Sequence, residues 1–191
     1  MNTLVGNVVR LEPLTTHHSQ ELFTALGNDD EAWRWMIVKT PDSLEAMSAI
    51  IDRYLQDFDA GTRQPYAVVH LESQRTIGTT SFMDISRHDR TVEIGRTIYA
   101  REFWRTGVNT ETKLLLLTEA FEVQNFLRVA LKTDSENKRS QAAILRIGAM
   151  YEGTLRSDRM RADGSSRDSM YYSILRPEWS DVKTHLQGVL A

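Results

Sequence analysis

The stretch from Glu93 to Gln124 constrains the chain most, because strand, turn and helix signals follow one another there without a gap. Glu93–Tyr99 carries the β-branched and aromatic residues of a strand. Asn109 or Thr110 is suited to cap a helix, since a short side-chain oxygen accepts an orphan N–H of the first turn. From Leu114 the apolar residues recur at helical spacing through Leu117 and Phe121. The start of such a helix offers unpaired N–H donors and the positive end of the macrodipole, which together suit an anion. Gly107 would let the backbone approach that anion closely. Glu111 would repel it unless the carboxylate points aside, and Arg105 offsets that charge. A strand–turn–helix with one glycine is common, so this signal alone is weak.

With 191 residues the chain is expected to form one domain with a substantial core. Its hydrophobic fraction of 41% and charged fraction of 26% are those of a soluble globular protein. A net charge of −3 gives no general attraction to nucleic acid or to an anionic membrane, so neither is expected as a partner. Without cysteine there are no disulfides, thiolate metal sites or cysteine nucleophile. No signal segment and no apolar run of membrane-spanning length stand out, and a cytoplasmic protein is expected.

In order, Val8–Leu14 reads as a first strand, ended by Pro13, and His17–Gly27 as a helix after Thr15 or Thr16. A connector over Asp29–Pro41 carries Trp33, Trp35, Met36 and Ile37, as plain packing or as a pocket wall. Ser43 opens a helix to about Phe58. Strands follow at Tyr66–Leu71, Thr76–Asp84 and Thr91–Tyr99, joined by short turns. After the Leu114 helix come a strand over Arg128–Thr133, a helix over Arg139–Ile147 ended by Gly148, a hairpin of Glu152–Ser157 and Ser169–Leu175, and a last helix over Ser180–Leu190. The order predicts an α+β domain with one sheet.

That order, joined to WRTGVNTETK, RVALKTDSENKRSQAAILRIGAMYEGTLR and DGSSRDSMYYSILRPEW, resembles the GNAT N-acetyltransferases. It is similar in particular to the branch containing the ribosomal-protein N-terminal acetyltransferases, over nearly the whole chain from Val8 to about Leu186. The resemblance implies a mixed, mostly antiparallel central sheet flanked by helices and splayed between the fourth and fifth strands. Acetyl-CoA would lie in that V-shaped opening as co-substrate. Its pantetheine arm would pair with the edge of the Glu93–Tyr99 strand, Ile98 included, and its pyrophosphate would rest on the amides of Arg105, Thr106, Gly107, Val108, Asn109 and Thr110. The family's loop usually reads Gln/Arg–x–x–Gly–x–Gly/Ala. Here Trp104, Gly107 and Asn109 hold those places, and only the middle one agrees.

Direct transfer of the acetyl group to a primary amine is the implied reaction. The amine must lose a proton, the oxyanion needs a donor, and the departing thiolate needs a proton. Glu93 is the candidate base, directly or through water; the alternative is a strand-edge charge that binds substrate or solvent. The tyrosine that many relatives use as acid is replaced by Ile144, which leaves Ser140, in the Asn137–x–x–Ser140 pattern, as candidate acid or as a small helix residue. Asn137 would bond the pantetheine or acetyl region, cap its own helix, or do both. Where ribosomal-protein relatives place a further acidic residue, this chain has Arg159 beside Asp158.

The acceptor pocket is expected between Trp33, Trp35 and Met36 on one side and the Ser169–Tyr172 strand, with Tyr171, on the other. Arg34 and Arg96 there favour an acceptor bearing a carboxylate or phosphate. An α-amine, with a pKa of about 7.7–8.0, is easier to deprotonate than a lysine side chain near 10.4. The five histidines show no metal spacing, and no metal is expected. A non-catalytic acyl-CoA-binding or sensing module of the same fold is the alternative function. A homodimer is implied only because relatives often form one.

Overall fold

Val9 and Leu11 are wholly buried while Arg10 between them and Glu12 after them are not, the two-residue period of a strand with one covered face. The computed structural model describes residues 1–191. Its strands are β1 (Leu4–Val5), β2 (Val9–Pro13), β3 (Arg63–His70), β4 (Arg75–Ser86), β5 (Thr91–Tyr99), β6 (Arg128–Asp134), β7 (Met150–Met160) and β8 (Ser166–Leu175). The helices are α1 (Ser19–Leu26), α2 (Asp30–Trp33), α3 (Leu44–Asp59), α4 (Gly107–Thr118), α5 (Lys138–Arg146) and α6 (Trp179–Leu190). The strands form one sheet in the order β1-β2-β3-β4-β5-β6-β8-β7. Every neighbouring pair is antiparallel except β5 and β6.

That exception is the splay expected between the fourth and fifth strands, counted from Val9–Pro13. β5 and β6 pair only over Thr91–Glu93 with Arg128–Ala130. From Ile94 onward β5 has β4 on one side and no strand on the other.

The larger core lies on one face, where Phe82, Val92, Ile94, Val129, Leu131 and Ile174 meet Leu116, Leu117 and Phe121 of the α4 segment and Val182 and Leu186 of α6. On the other face Leu22, Leu26, Met47, Ile51 and Tyr54 of α1 and α3 cover Ala67 and Ile98. Burying such side chains stabilises the fold by about 1.5–3 kcal/mol each. α3 is capped by Ser43, whose hydroxyl accepts the amide of Ala46 at 3.2 Å.

Several boundaries differ from expectation. β1 was not anticipated: two residues of strand pair back on β2 through a tight turn at Gly6. α1 starts at Ser19, with a short 3-10 turn over Thr16–His18 before it. The closing hairpin is longer than the sequence suggests, because β7 continues to Met160 as an exposed edge strand whose polar and apolar residues do not alternate. No helix is long and apolar enough to cross a membrane.

Candidate acetyl-transfer site

Beyond the point where β5 and β6 part, each leads on to a helix, and the stacking of Arg139 on Trp104 brings the two helix starts together. After β5, Arg105 takes the left-handed backbone (φ +63°) and Thr106 caps α4, accepting the amide of Val108 at 3.3 Å. The cap is therefore Thr106, and not Asn109 or Thr110, which lie in the first turn. Gly107 is the first helical residue. A Cβ on it would sit 3.5 Å from Leu190 Cδ2 and 4.0 Å from Val8 Cγ2, ordinary contact within the protein. Close approach of an anion thus does not explain this glycine. The positive backbone angle that turns the loop belongs to Arg105.

Glu111 does not face the helix start. Its carboxylate is buried and accepts the amides of Asn7, Val8 and Val9 at 2.8, 2.7 and 2.7 Å. That removes the repulsion a first-turn carboxylate would exert on a bound anion. Asn109 Oδ1 receives a long bond of 3.4 Å from Tyr99 Oη, and Thr110 is buried.

After β6, Asn137 caps α5: its Oδ1 accepts the amide of Ser140 at 3.0 Å. This holds Ser140 in the first turn, half-buried. Ile144 is packed into the larger core, so no acid can act from that position without a rebuilt interior. Between the two helix starts the Arg139 guanidinium stacks 3.4 Å from the centre of the Trp104 ring. Ile98 sends its side chain into the smaller core, which leaves only its backbone for a ligand.

Glu93 stands on the last β5 residue paired with β6. It is buried, and Lys132 Nζ lies 2.7 Å from Oε2, with Asp84 3.2 Å from the same ammonium. Burial raises the Glu93 carboxyl above its ordinary range, although Lys132 acts against it. Burial works against the Lys132 charge, and the two carboxylates more than offset it. Gly95 makes room for the carboxylate, because a Cβ there would stand 2.8 Å from Glu93 Oε1 and 3.1 Å from Met83 Sδ.

Just beyond, the register with β4 shifts: Ser81 faces Gly95 while Thr79 faces Ile98, so β5 carries an extra residue. Arg96 occupies this bulge with φ +51°. Thr97 accepts from Lys113 Nζ at 2.8 Å beneath α4. Burial pushes the Lys113 amine down to about 7.

The expected acceptor residues divide. Trp33 is a core residue whose Nε1 donates to Leu26 O at 2.8 Å, and one side of it lines a cleft of about 450 Å³ between α2 and the β7–β8 turn. Arg34 belongs to that cleft's wall and is exposed, 5.1 Å over Trp35. Trp35 and Met36 are half-buried beside this opening without lining it. Tyr171 lies on the Glu93 face, with Lys132 4.8 Å over its ring and its hydroxyl donating to Asp158 at 3.3 Å.

Sequence reading missed Lys113, Lys132, Arg63 and Arg167. For Lys132 a signal existed: alternation in RVALKTD puts Ala130, Lys132 and Asp134 opposite Val129 and Leu131, and hence on the face of Glu93. No three or more His, Cys, Asp or Glu residues are grouped to hold a metal ion.

Residues 9–150 match the family model described as an acetyltransferase (GNAT) domain. YdaF of Bacillus subtilis (strain 168), provisionally named a ribosomal N-acetyltransferase, is 30% identical over 180 residues, 91% of this chain and 92% of its own. A GCN5-related N-acetyltransferase from Brucella melitensis superposes with a TM-score of 0.93 at 27% identity, over 100% of this chain and 86% of the other. Mycobacterium smegmatis RimJ, crystallised with CoA-disulfide, shares the fold with a TM-score of 0.84 at 18% identity, over 98% and 94%. The parted strands, the two helix starts brought together and these matches have one reading: the chain belongs to the GNAT family of acetyltransferases.

Proposed function

We propose that the protein moves an acetyl group from acetyl-CoA directly to a weakly basic α-amine carried on an apolar body. The observation that carries this reading is the unpaired edge of β5 beyond Glu93, lying between the capped starts of α4 and α5. A thioester arm has backbone groups to pair with along that edge, and its pyrophosphate has the free amides of Gly107 and Asn109 in the first turn of α4. The neighbour crystallised with CoA-disulfide has the same fold and supports the choice of ligand.

In this reading the amine nitrogen attacks the thioester carbonyl carbon, the C–N bond forms, and the C–S bond then breaks. The ammonium proton passes to Glu93, through a water because Lys132 already holds Oε2, and the thiolate takes a proton from Ser140. Burial raises the Glu93 carboxyl and makes it a stronger base than an exposed carboxylate, while Lys132 acts against that rise. The amine enters from the α2–α3 side of the sheet, where Glu93 and Tyr171 face.

Calorimetry with acetyl-CoA, followed by thiol release over a panel of amines, tests the reading. Apolar α-amines should be acetylated in preference to spermidine and to lysine peptides blocked at the N-terminus. No acetyl-CoA binding, or a preference for the polyamine, would overturn it.

A further inference from the structure

Seven buried side-chain polar atoms have no hydrogen-bond or close ionic partner within the protein, and all but Thr112 Oγ1 belong to one neighbourhood. The six there are Tyr54 Oη, Arg63 Nε and Nη1, Ser81 Oγ, Arg167 Nε and Ser169 Oγ, beside Glu93, whose Oε2 is held by Lys132. Strand register puts them on one face. Arg63 faces Met83, which faces Glu93, and Ser81 faces Gly95 two residues further on. Ser169 faces Asp134 on the Lys132 side of β6, opposite the core-facing Tyr172 and Ile174. Tyr54 lies under Arg63, whose guanidinium stands 4.1 Å over its ring. Unmatched polar atoms cost about 1–3 kcal/mol each when buried, so their collection in one place calls for a ligand.

The charges there are not matched donor for donor. Arg63 is buried and has one carboxylate, Asp57, 3.0 Å from Nη2. Arg167 has only Asp134, at 4.0 Å, and both oxygens of that carboxylate are already held by Arg161 at 2.7 and 3.0 Å. The Arg96 guanidinium has no ion pair and no hydrogen bond, and the residue sits at the bulge in a backbone conformation that L side chains rarely adopt. Burial and the nearby charges of Arg63 and Arg167 lower its affinity for a proton, although Tyr54 and Glu93 act the other way. A strained residue that aims an unpaired guanidinium onto this floor is difficult to explain as packing alone.

We infer that this floor is an oxyanion subsite of the acceptor pocket: Arg63, Arg96 and Arg167 receive a carboxylate or phosphate that the acceptor carries about 10 Å or less from its amine. The distance follows from geometry, since Arg63 lies two strands from Glu93 and Arg96 three residues along, each roughly 10 Å away. Ser81, Ser169 and Tyr54 add hydroxyl donors around the same group. The acceptor class is thereby an acidic α-amino compound or peptide N-terminus, and this rests on the acetyl-transfer reading for the place of the amine.

The test measures binding of acetylated products, so it does not depend on turnover. The C-terminal amides of N-acetyl-Phe-Glu, N-acetyl-Phe-phosphoserine and N-acetyl-Phe-Gln, which differ only in the side-chain charge, are titrated calorimetrically into the free and the CoA-saturated protein. At least one acidic peptide should bind about tenfold or more tighter than the glutamine peptide, as expected for charge-assisted bonds. Arg96→Gln and, separately, Arg167→Gln should abolish that preference while the circular dichroism spectrum is retained. Equal affinities, or no measurable binding of any of the three, overturn the subsite. Failure of CoA itself to bind overturns the acetyl-CoA reading instead, and the peptide preference remains readable in the free protein.

Discussion

Replacing Glu111 should cost more than any other single change at the start of α4. Its carboxylate is 4% exposed and takes three backbone amides, those of Asn7, Val8 and Val9. A hydrogen bond to a charged group contributes about 1.5–3 kcal/mol net. Glu111→Ala removes all three; the partly exposed amides of Asn7 and Val8 regain water, whereas that of Val9 stays buried. The expected loss is therefore about 3–5 kcal/mol, a large part of a typical stability of about 5–15 kcal/mol. Glu111→Gln keeps one acceptor oxygen but turns an NH2 towards an N–H, and should lose about 2–3 kcal/mol. Gly6→Ala should behave like the weaker of the two, because its Cβ would stand 2.4 Å from Glu111 Cδ. Urea denaturation of the three variants reads these losses directly, with thermal midpoints falling by roughly 10 °C for the alanine variant. A loss below about 1 kcal/mol for Glu111→Ala would refute the reasoning, since three charge-assisted bonds to one buried carboxylate cannot be that weak.

Ser140→Ala should retain CoA affinity and lose about 10²–10³ in turnover if its hydroxyl protonates the thiolate; undiminished turnover on a good acceptor would leave it a helix residue. Lys132→Met removes the cation that opposes the burial of Glu93, so the Glu93 carboxyl rises further and the acidic limb of kcat/KM moves to higher pH. An unmoved limb in that pH profile excludes Glu93 as the base. Gly107→Ala should bind CoA as the parent does, because the added methyl meets Leu190 and Val8 at ordinary distance; a large loss on calorimetry would show that the loop, and not the interior, occupies that space. Lys113 binds its proton less tightly folded, at about 7, than unfolded, near 10.4, so the unfolded chain holds more protons between those values. Stability should accordingly rise from pH 7 to pH 9 more steeply in the parent than in Lys113→Met, a comparison that urea titrations at two pH values decide.

Local patterns carried most of the fold. The alternation around Val9 and Leu11 and the stripe of Met47, Ile51 and Tyr54 mark a strand and a helix before any contact is known. What stayed hidden depends on partners far along the chain. Thr106 becomes the cap only because Arg105 accepts a left-handed backbone, a choice that propensity assigns to glycine. Glu111 reads as a helix-start carboxylate until the turn at Gly6, over a hundred residues earlier, presents three amides to it. Arg63 and Arg167 lie just outside the strands expected at Tyr66–Leu71 and Ser169–Leu175, and only the longer strands and their register bring them to the side of the sheet that holds Glu93. Trp33 shows the reverse: a large aromatic on a connector suggested a pocket wall, and the Nε1 bond to Leu26 makes it chiefly an anchor for α1.

The three-residue parallel joint between β5 and β6 makes the sheet behave as two stiff plates fastened along one short seam. The plate containing β5 ends in the α4 start, and the plate containing β6 ends in the α5 start with Asn137 and Ser140. The angle between the plates thus sets how far the Ser140 hydroxyl stands from a thioester laid along β5. Val92 and Val129 face each other in that seam and are almost wholly buried. Trimming either to alanine would act as a change of angle, and a misplacement of about 1 Å in a reacting centre lowers a rate by about 10² even when every functional group is intact.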